Sequence, residues 1–255
     1  MNHPLSTQGL TIGHGAKVLV EGMDLDFRAG ELVALIGVNG GGKSTLLRTL
    51  AGLHTPLGGS VRAEGHDLAH LSAAERARRI AVVLTGRPQA GLLDVRTIVA
   101  LGRQPWTGHF GYSRAADQRS VEEAMQALDV QGFATRSLQQ LSDGEAQRVM
   151  VARALAQDTP VMLLDEPMAF LDLVNRVRLL RTLRDLARTR GKAIVLSTHD
   201  LQTALDLCDR MLLLHDRRAW VGTTTEARTS GILQRVFNAE GLLFDPRSGG
   251  FHPDH

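Results

Sequence analysis

The sequence predicts an α/β fold with a largely parallel sheet, and three observations carry that expectation. Five apolar runs, Leu32 to Ile36, Ile80 to Leu84, Val161 to Leu164, Ala193 to Ser197 and Met211 to Leu214, are continuous rather than alternating, the pattern of strands covered on both faces. Helical stretches follow these runs. The first run opens directly into Gly37 to Thr45, GVNGGGKST, and then into the helix-like Leu46 to Leu50, which is the strand-loop-helix order of a phosphate-binding loop.

Before that loop, short alternating segments at Leu10 to Ile12, Lys17 to Val20 and Met23 to Phe27 are separated by Gly13, Gly15 and Gly22. They read as antiparallel strands flanking a nucleotide. In the loop itself, Gly37, Gly40, Gly41 and Gly42 let the backbone curl so that N–H groups face a triphosphate; Lys43 adds a point charge and Ser44 a hydroxyl for Mg²⁺. The competing reading is a glycine turn with an accidental lysine. The strand before and the helix after weigh against it, and lysine is scarce: only Lys17, Lys43 and Lys192 occur.

From Pro88 to Leu138 the strand signal disappears, and Val95 to Leu101 and Ser120 to Leu128 carry helical spacing, which reads as a helical insertion. The joining segment GRQPWTGHFGYSR, residues 102–114, is expected to be a loop, either partner-facing or simply surface. Beyond it, Val161 to Leu164 ends in Asp165 and Glu166, with Pro167 stopping the strand. At the carboxyl end of a strand beside a phosphate loop, Asp165 is placed to support Mg²⁺ and Glu166 to face a γ-phosphate and its attacking water.

A chain of 255 residues suffices for one full hydrophobic core. Its one cysteine, Cys208, excludes an internal disulfide and reads as a small buried apolar residue. A formal charge of +2 is too small a bias to indicate nucleic acid, and Arg76, Arg78 and Arg79 read as a solvated helix face. There is no run of about eighteen apolar residues, and MNHPLSTQG lacks the build of a signal peptide, so the chain is expected in the cytoplasm, reaching a membrane only through a partner.

Leu141 to Val149 reads LSDGEAQRV. Locally this is a capping box, Ser142 at the helix N-cap and Glu145 at the third helical position. It also resembles the signature sequence of ATP-binding cassette (ABC) ATPases. With the phosphate loop, the Asp165-Glu166 strand, and VLSTHD ending at Asp200 in family order, the resemblance covers about Leu10 to Phe251.

The resemblance implies an α/β P-loop NTPase (RecA-like) core over 1–87 and 139–255, carrying an N-terminal antiparallel β subdomain, with 88–138 inserted as an α-helical subdomain. By similarity, Gly37, Asn39, Gly40, Gly41, Gly42, Lys43, Ser44 and Thr45 hold the phosphates of ATP. Asp165 supports Mg²⁺, Glu166 is the general base, and His199 is the switch histidine. Asp172 lies in the loop that crosses a dimer interface. Such cassettes pair head to tail, so Ser142, Gly144 and Glu145 would serve the nucleotide on a partner copy.

Three positions depart from the family. His14 stands where an aromatic residue usually stacks adenine, and is either a smaller stacking ring or a surface histidine in a turn. Thr85 stands where a glutamine usually meets Mg²⁺; either its hydroxyl serves, the reading favoured by register, or Gln89 takes over. Asp143 replaces a glycine and is expected to point away from phosphate.

VRTIVALGRQPW, LSDGE and VFNAEGLLFDPRSGGF look like importer ATPases for iron-siderophore, haem or vitamin B12 (cobalamin) uptake. That implies a homodimer of ATPase subunits on the cytoplasmic face of the inner membrane, docked on separate polytopic permease subunits and served indirectly by a periplasmic or lipoprotein solute-binding protein. An ATPase for another metal or small solute is the alternative. A soluble cassette acting on ribosomes or DNA is a further one, disfavoured because those proteins usually carry two cassettes or a long coiled coil.

Overall fold

The computed structural model describes residues 3–86, 92–107, 114–237, 242–245 and 250–253. It begins with an antiparallel ladder: β1 (Leu5–His14) pairs with β2 (Lys17–Met23) through Leu10↔Met23 and His14↔Lys17, and with β3 (Asp26–Phe27) through Leu5↔Phe27. The central strand β4 (Leu32–Gly37) leads into α1 (Lys43–Leu50). Next come β5 (Gly58–Ala63), which also pairs with β1, then β6 (His66–Asp67) and α2 (Ala73–Ala77). β7 (Ile80–Val83) precedes three helices, α3 (Val95–Ala100), α4 (Ala115–Ala127) and α5 (Asp143–Ala156). The chain continues through β8 (Val161–Leu164), α6 (Leu173–Arg190), β9 (Ala193–Ser197), α7 (Leu201–Leu207), β10 (Arg210–His215) and β11 (Arg218–Thr223). It ends with α8 (Thr224–Thr229), α9 (Ile232–Phe237) and the hairpin β12 (Leu242–Asp245)–β13 (Gly250–Pro253).

The main sheet has the order β11-β10-β4-β9-β8-β7, parallel except for the β10–β11 pair; the second sheet runs β2-β1-β5-β6 with β3 on β1. Every residue of β4, β8 and β9 is buried. Successive residues point to opposite faces and feed two separate cores. Leu32, Ala34, Ile36, Met162, Leu164, Ile194 and Leu196 join the core that also takes Val95, Val99, Met125 and Val149 from α3, α4 and α5. Val33, Leu35, Val161, Leu163 and Val195 join the other, with Leu46 and Leu50 of α1 and Leu10 and Ile12 of β1. Continuous apolar runs are therefore required, because both faces are dry.

Several sequence expectations change. Met23 to Phe27 is not one strand: Met23 ends β2, and only Asp26–Phe27 pairs again, on β1. β5, β6 and β11 carry weak signals because they lie outside the buried centre; β5 buries only Val61 and Ala63. Segment 102–114 is not wholly loop: Leu101–Trp106 winds into a 3-10 helix whose Trp106 Nε1 donates to the Gln157 carbonyl at 2.7 Å, while Arg103 meets Asp117 at 2.9 Å. Residues 108–113 lie outside the described residues. Arg76, Arg78 and Arg79 are not merely solvated either. Arg76 donates to the Leu71 carbonyl, Arg78 donates to the Pro105 carbonyl and lies over the Trp106 ring at 5.8 Å, and Arg79 faces Glu64 at 3.4 Å. Cys208 is buried as expected, which pushes its thiol up to about 12. Among the described residues, no helix is long and apolar enough to cross a membrane.

Candidate functional site

Because β4, β7, β8 and β9 are parallel, their carboxyl ends share one edge of the sheet, and the expected site residues emerge there. From β4, Gly37 starts the loop that ends at Gly42, the N-cap of α1. Gly42 has φ 100°, a left-handed conformation that turns the backbone into the helix and that a side chain would oppose. Asn39 and Gly40 are exposed at the loop's tip, Gly41 and Ser44 are half-buried, and Thr45 is buried.

Lys43 is buried to 7 % exposure, and its ammonium donates to the carbonyls of Gly37 at 2.8 Å and Val38 at 3.2 Å. Burial pushes it below the usual lysine value, while the Glu166 and Asp165 carboxylates pull it back up. The cation thus lies within electrostatic reach of both acids from β8.

Asp165 is 1 % exposed, and its backbone N–H continues the sheet to the Val83 carbonyl at 2.7 Å. The Ser197 hydroxyl donates to Asp165 Oδ1 at 2.7 Å, and the Thr85 hydroxyl to Oδ2 at 3.5 Å. Thr85 therefore stands beside Asp165, as its register predicts; Gln89 lies outside the described residues. Glu166 has φ 50°, a left-handed conformation for a residue with a full side chain, and such strain concentrates at working sites. Its N–H is held by Ser197 Oγ at 2.8 Å, and its Oε1 lies 2.7 Å from His199 Nε2. Glu166, Ser197 and His199 line a cleft of about 220 Å³.

His14 stands at the other side of the loop, its Nε2 3.0 Å from Thr45 Oγ1. Its ring meets His54 edge-on, centroids 5.3 Å apart, and His54 Nε2 donates to the Gly13 carbonyl. His14 is exposed at the β1–β2 turn, as a surface histidine would be, and its ring is held to Thr45 at the first turn of α1.

The signature residues form a second group. Ser142 caps α5: its Oγ accepts the Glu145 N–H at 3.3 Å, while Glu145 Oε2 accepts from the Ser142 N–H and hydroxyl, both at 2.8 Å. The Ser142 backbone N–H, then its hydroxyl, holds the Glu145 carboxyl below its usual value. Gly144 packs against Phe170 and Leu171, and Asp172 caps α6 through the Asn175 N–H at 2.8 Å. Ser142, Gly144, Glu145 and Asp172 line a cleft of about 490 Å³ that shares no lining residue with the Glu166–His199 cleft. One chain therefore gathers the expected residues into two places.

Sequence reasoning missed Ser197, His54 and Arg176. Ser197 left a trace as the only hydroxyl ending an otherwise apolar strand. Arg176, which donates to the Leu171 carbonyl at 2.8 Å and lies 3.8 Å from Asp200, looks like any surface arginine in the sequence.

A family model described as ABC transporter matches residues 20–169. The hemin import ATP-binding protein of Streptomyces coelicolor is 41% identical over 247 residues, covering 94% of this chain and 86% of that protein. The ferric enterobactin transport ATP-binding protein of Escherichia coli is 34% identical, covering 96% and 91%. The cobalamin import ATP-binding protein of Halobacterium salinarum is 39% identical, although the chain spans only 62% of its length. Among solved structures, a dimeric ATP-binding cassette bound to ADP and Pi in a post-hydrolysis state matches with a TM-score of 0.72 at 26% identity, covering 86% of this chain and 98% of that one. The family model takes in more than half of the chain and the relatives nearly all of it, and so this chain belongs to the ABC transporter family.

Proposed function

We propose that the chain binds and hydrolyses ATP with Mg²⁺ as the paired motor subunit of an importer for an iron-siderophore, haem or cobalamin cargo. The observation that carries the reading is the convergence of Lys43, Asp165, Glu166 and His199 at the carboxyl edge of one parallel sheet, beside the phosphate loop. Gly37, Asn39, Gly40, Gly41, Gly42, Lys43, Ser44 and Thr45 cradle the triphosphate, and His14 takes the adenine face beside Thr45. The hydroxyls of Ser44 and Thr85 with the Asp165 carboxylate form an all-oxygen donor set, which fits Mg²⁺: that ion takes one or two carboxylates together with substrate phosphates. When bound, Mg²⁺ neutralises developing charge on the phosphates. Glu166, paired with His199, orients and deprotonates the attacking water.

The second group completes the site on another copy. Ser142 and Gly144 offer the positive end of the α5 dipole to the γ-phosphate bound by the partner, and Asp172 lies at the seam. The helices α3 and α4 form the arm that docks on separate polytopic permease subunits at the inner face of the membrane, with a solute-binding protein acting further upstream. The names of the relatives support the cargo class.

Two experiments test the reading. Glu166→Gln should abolish turnover while leaving ATP binding intact, and should trap an ATP-bound dimer on size exclusion; a variant that still turns over refutes the assignment of Glu166. Tagged protein recovered in mild detergent should bring down a many-helix permease. Recovery of ribosomes or DNA without a permease refutes the importer.

A further inference from the structure

We infer that Ser197 is the positioning residue that sets both carboxylates of the ATPase site from one hydroxyl; this rests on the roles proposed above for Asp165 and Glu166. Parallel pairing aligns Leu164 of β8 with Leu196 of β9, so the next residues, Asp165 just past β8 and Ser197 at the end of β9, lie side by side at the carboxyl edge of the sheet. Ser197 is fully buried. A hydroxyl has one proton to give and lone pairs to accept with, and Ser197 uses both: it donates to Asp165 Oδ1 at 2.7 Å and accepts the Glu166 N–H at 2.8 Å.

The two bonds do different work. The bond to Oδ1 fixes the rotamer of Asp165 and turns Oδ2 towards Thr85, on the side where the all-oxygen donor set lies. The bond from the Glu166 N–H supports a main-chain conformation, φ 50°, that is uncommon for a residue with a side chain. That conformation carries the Glu166 side chain to His199. Neither neighbouring residue could replace the hydroxyl: Leu196 points to the opposite face, and Thr198 uses its own hydroxyl to accept the Asp200 N–H at 3.0 Å. Carboxylate ligands are oriented by such outer partners, and loss of one typically costs about ten- to a hundredfold in metal affinity or activity.

The test compares Ser197→Ala, Ser197→Cys and Ser197→Thr with Glu166→Gln as the benchmark. Removal of the hydroxyl should raise the Mg²⁺ concentration for half-maximal turnover about tenfold and lower kcat by about tenfold. The KM for ATP at saturating Mg²⁺ and nucleotide binding in EDTA should stay within about twofold, since Ser197 is not among the residues assigned to the phosphates. Mn²⁺ binding with a non-hydrolysable ATP analogue, read by electron paramagnetic resonance, should weaken in parallel without any turnover. Cys keeps the volume but is a weak hydrogen-bonding group, so it should behave like Ala; Thr keeps the hydroxyl and should recover most of the metal affinity. Unchanged metal dependence in Ala and Cys overturns the inference, as does an equal loss in all three variants, which is the mark of packing alone. Turnover surviving in Glu166→Gln would instead overturn the site reading on which the inference stands.

Discussion

Gly144→Ala is the sharpest test of how the two halves of the site are joined within one chain. A methyl added there would lie 2.9 Å from Leu171 Cδ2 and 3.1 Å from the Phe170 carbonyl oxygen. Carbon atoms in good contact sit about 3.5–4.0 Å apart, so the Leu171 methyl must move by more than half an ångström, which side-chain rotation allows. The Phe170 carbonyl is main chain, and the loop containing it must shift with it. Overpacking of this kind costs about 1–3 kcal/mol. Alanine in place of glycine in a helix returns about 0.5–1 kcal/mol. The net loss of about 0–2.5 kcal/mol, centred on about 1 kcal/mol, corresponds to a fall in Tm centred on about 2–4 °C and reaching about 10 °C for a domain of this size. The displaced loop runs from Glu166 to Asp172, so turnover should suffer far more than stability: a drop of about tenfold or more in kcat at saturating ATP, measured on protein that melts cooperatively. If Tm falls as calculated while kcat per folded molecule is unchanged, the loop does not carry the function assigned to it. If neither changes, the close approach itself is wrong.

Lys43→Ala removes the ammonium and leaves the Gly37 and Val38 carbonyls without their donor. ATP affinity, read by fluorescence of a labelled nucleotide, should fall about a hundredfold or more, while folding stability, read by denaturant unfolding, falls only by the about 1–3 kcal/mol expected for unsatisfied buried groups. Thr85→Val keeps volume but deletes the hydroxyl 3.5 Å from Asp165, so it should weaken turnover at limiting Mg²⁺ and recover at high Mg²⁺; Gln89→Ala should leave turnover nearly intact, and the reverse outcome would move the role to Gln89. Burial pushes the Cys208 thiol up to about 12 and closes it to solvent, so alkylation by iodoacetamide should need unfolding. Rapid labelling of the native protein would contradict its burial.

What the sequence made legible is what buried geometry makes redundant. Leu32–Gly37, Val161–Leu164 and Ala193–Ser197 stand out because strands with two dry faces tolerate no polar residue, and the loop at 37–45 because phosphate chemistry constrains nearly every position in it. β5 and β11 were invisible for the opposite reason: each buries few side chains, and pairing comes from main-chain groups that any residue supplies. The antiparallel N-terminal segments were found by their alternation, but of the three glycines read as separators only Gly15 lies between strands: Gly13 falls inside β1 and Gly22 inside β2, and β1 begins at Leu5, well before the first segment the alternation marked. In the site, charged residues on motif positions were readable, whereas Ser197 and Arg176 were not. Their importance lies in which atoms they touch across the sheet, which a serine ending an apolar strand marks only faintly and an arginine on a helix not at all.

The loop from Glu166 to Asp172 holds the two groups of residues together. It is fastened at its start by Ser197 to the Glu166 N–H and near its end by Arg176, whose Nε donates to the Leu171 carbonyl while its Nη1 lies 3.8 Å from Asp200. Asp200 follows His199 and caps α7, so one end of this strap reaches the base and the other reaches the segment beside its partner histidine. Between the fastenings, Phe170 is 60% exposed, and just beyond Asp172, Leu173 is 68% and Val174 69% exposed, although this chain buries most of its large apolar side chains. On the proposed pairing a second copy covers that face. Pressure on Phe170 would then be transmitted through main chain rather than through a mobile side chain, to Gly144 on one side and to the Glu166–His199 pair on the other. A cassette alone would hold a complete phosphate loop and base yet lack the contact that brings them into register, which is the physical reason to expect poor turnover from an isolated chain.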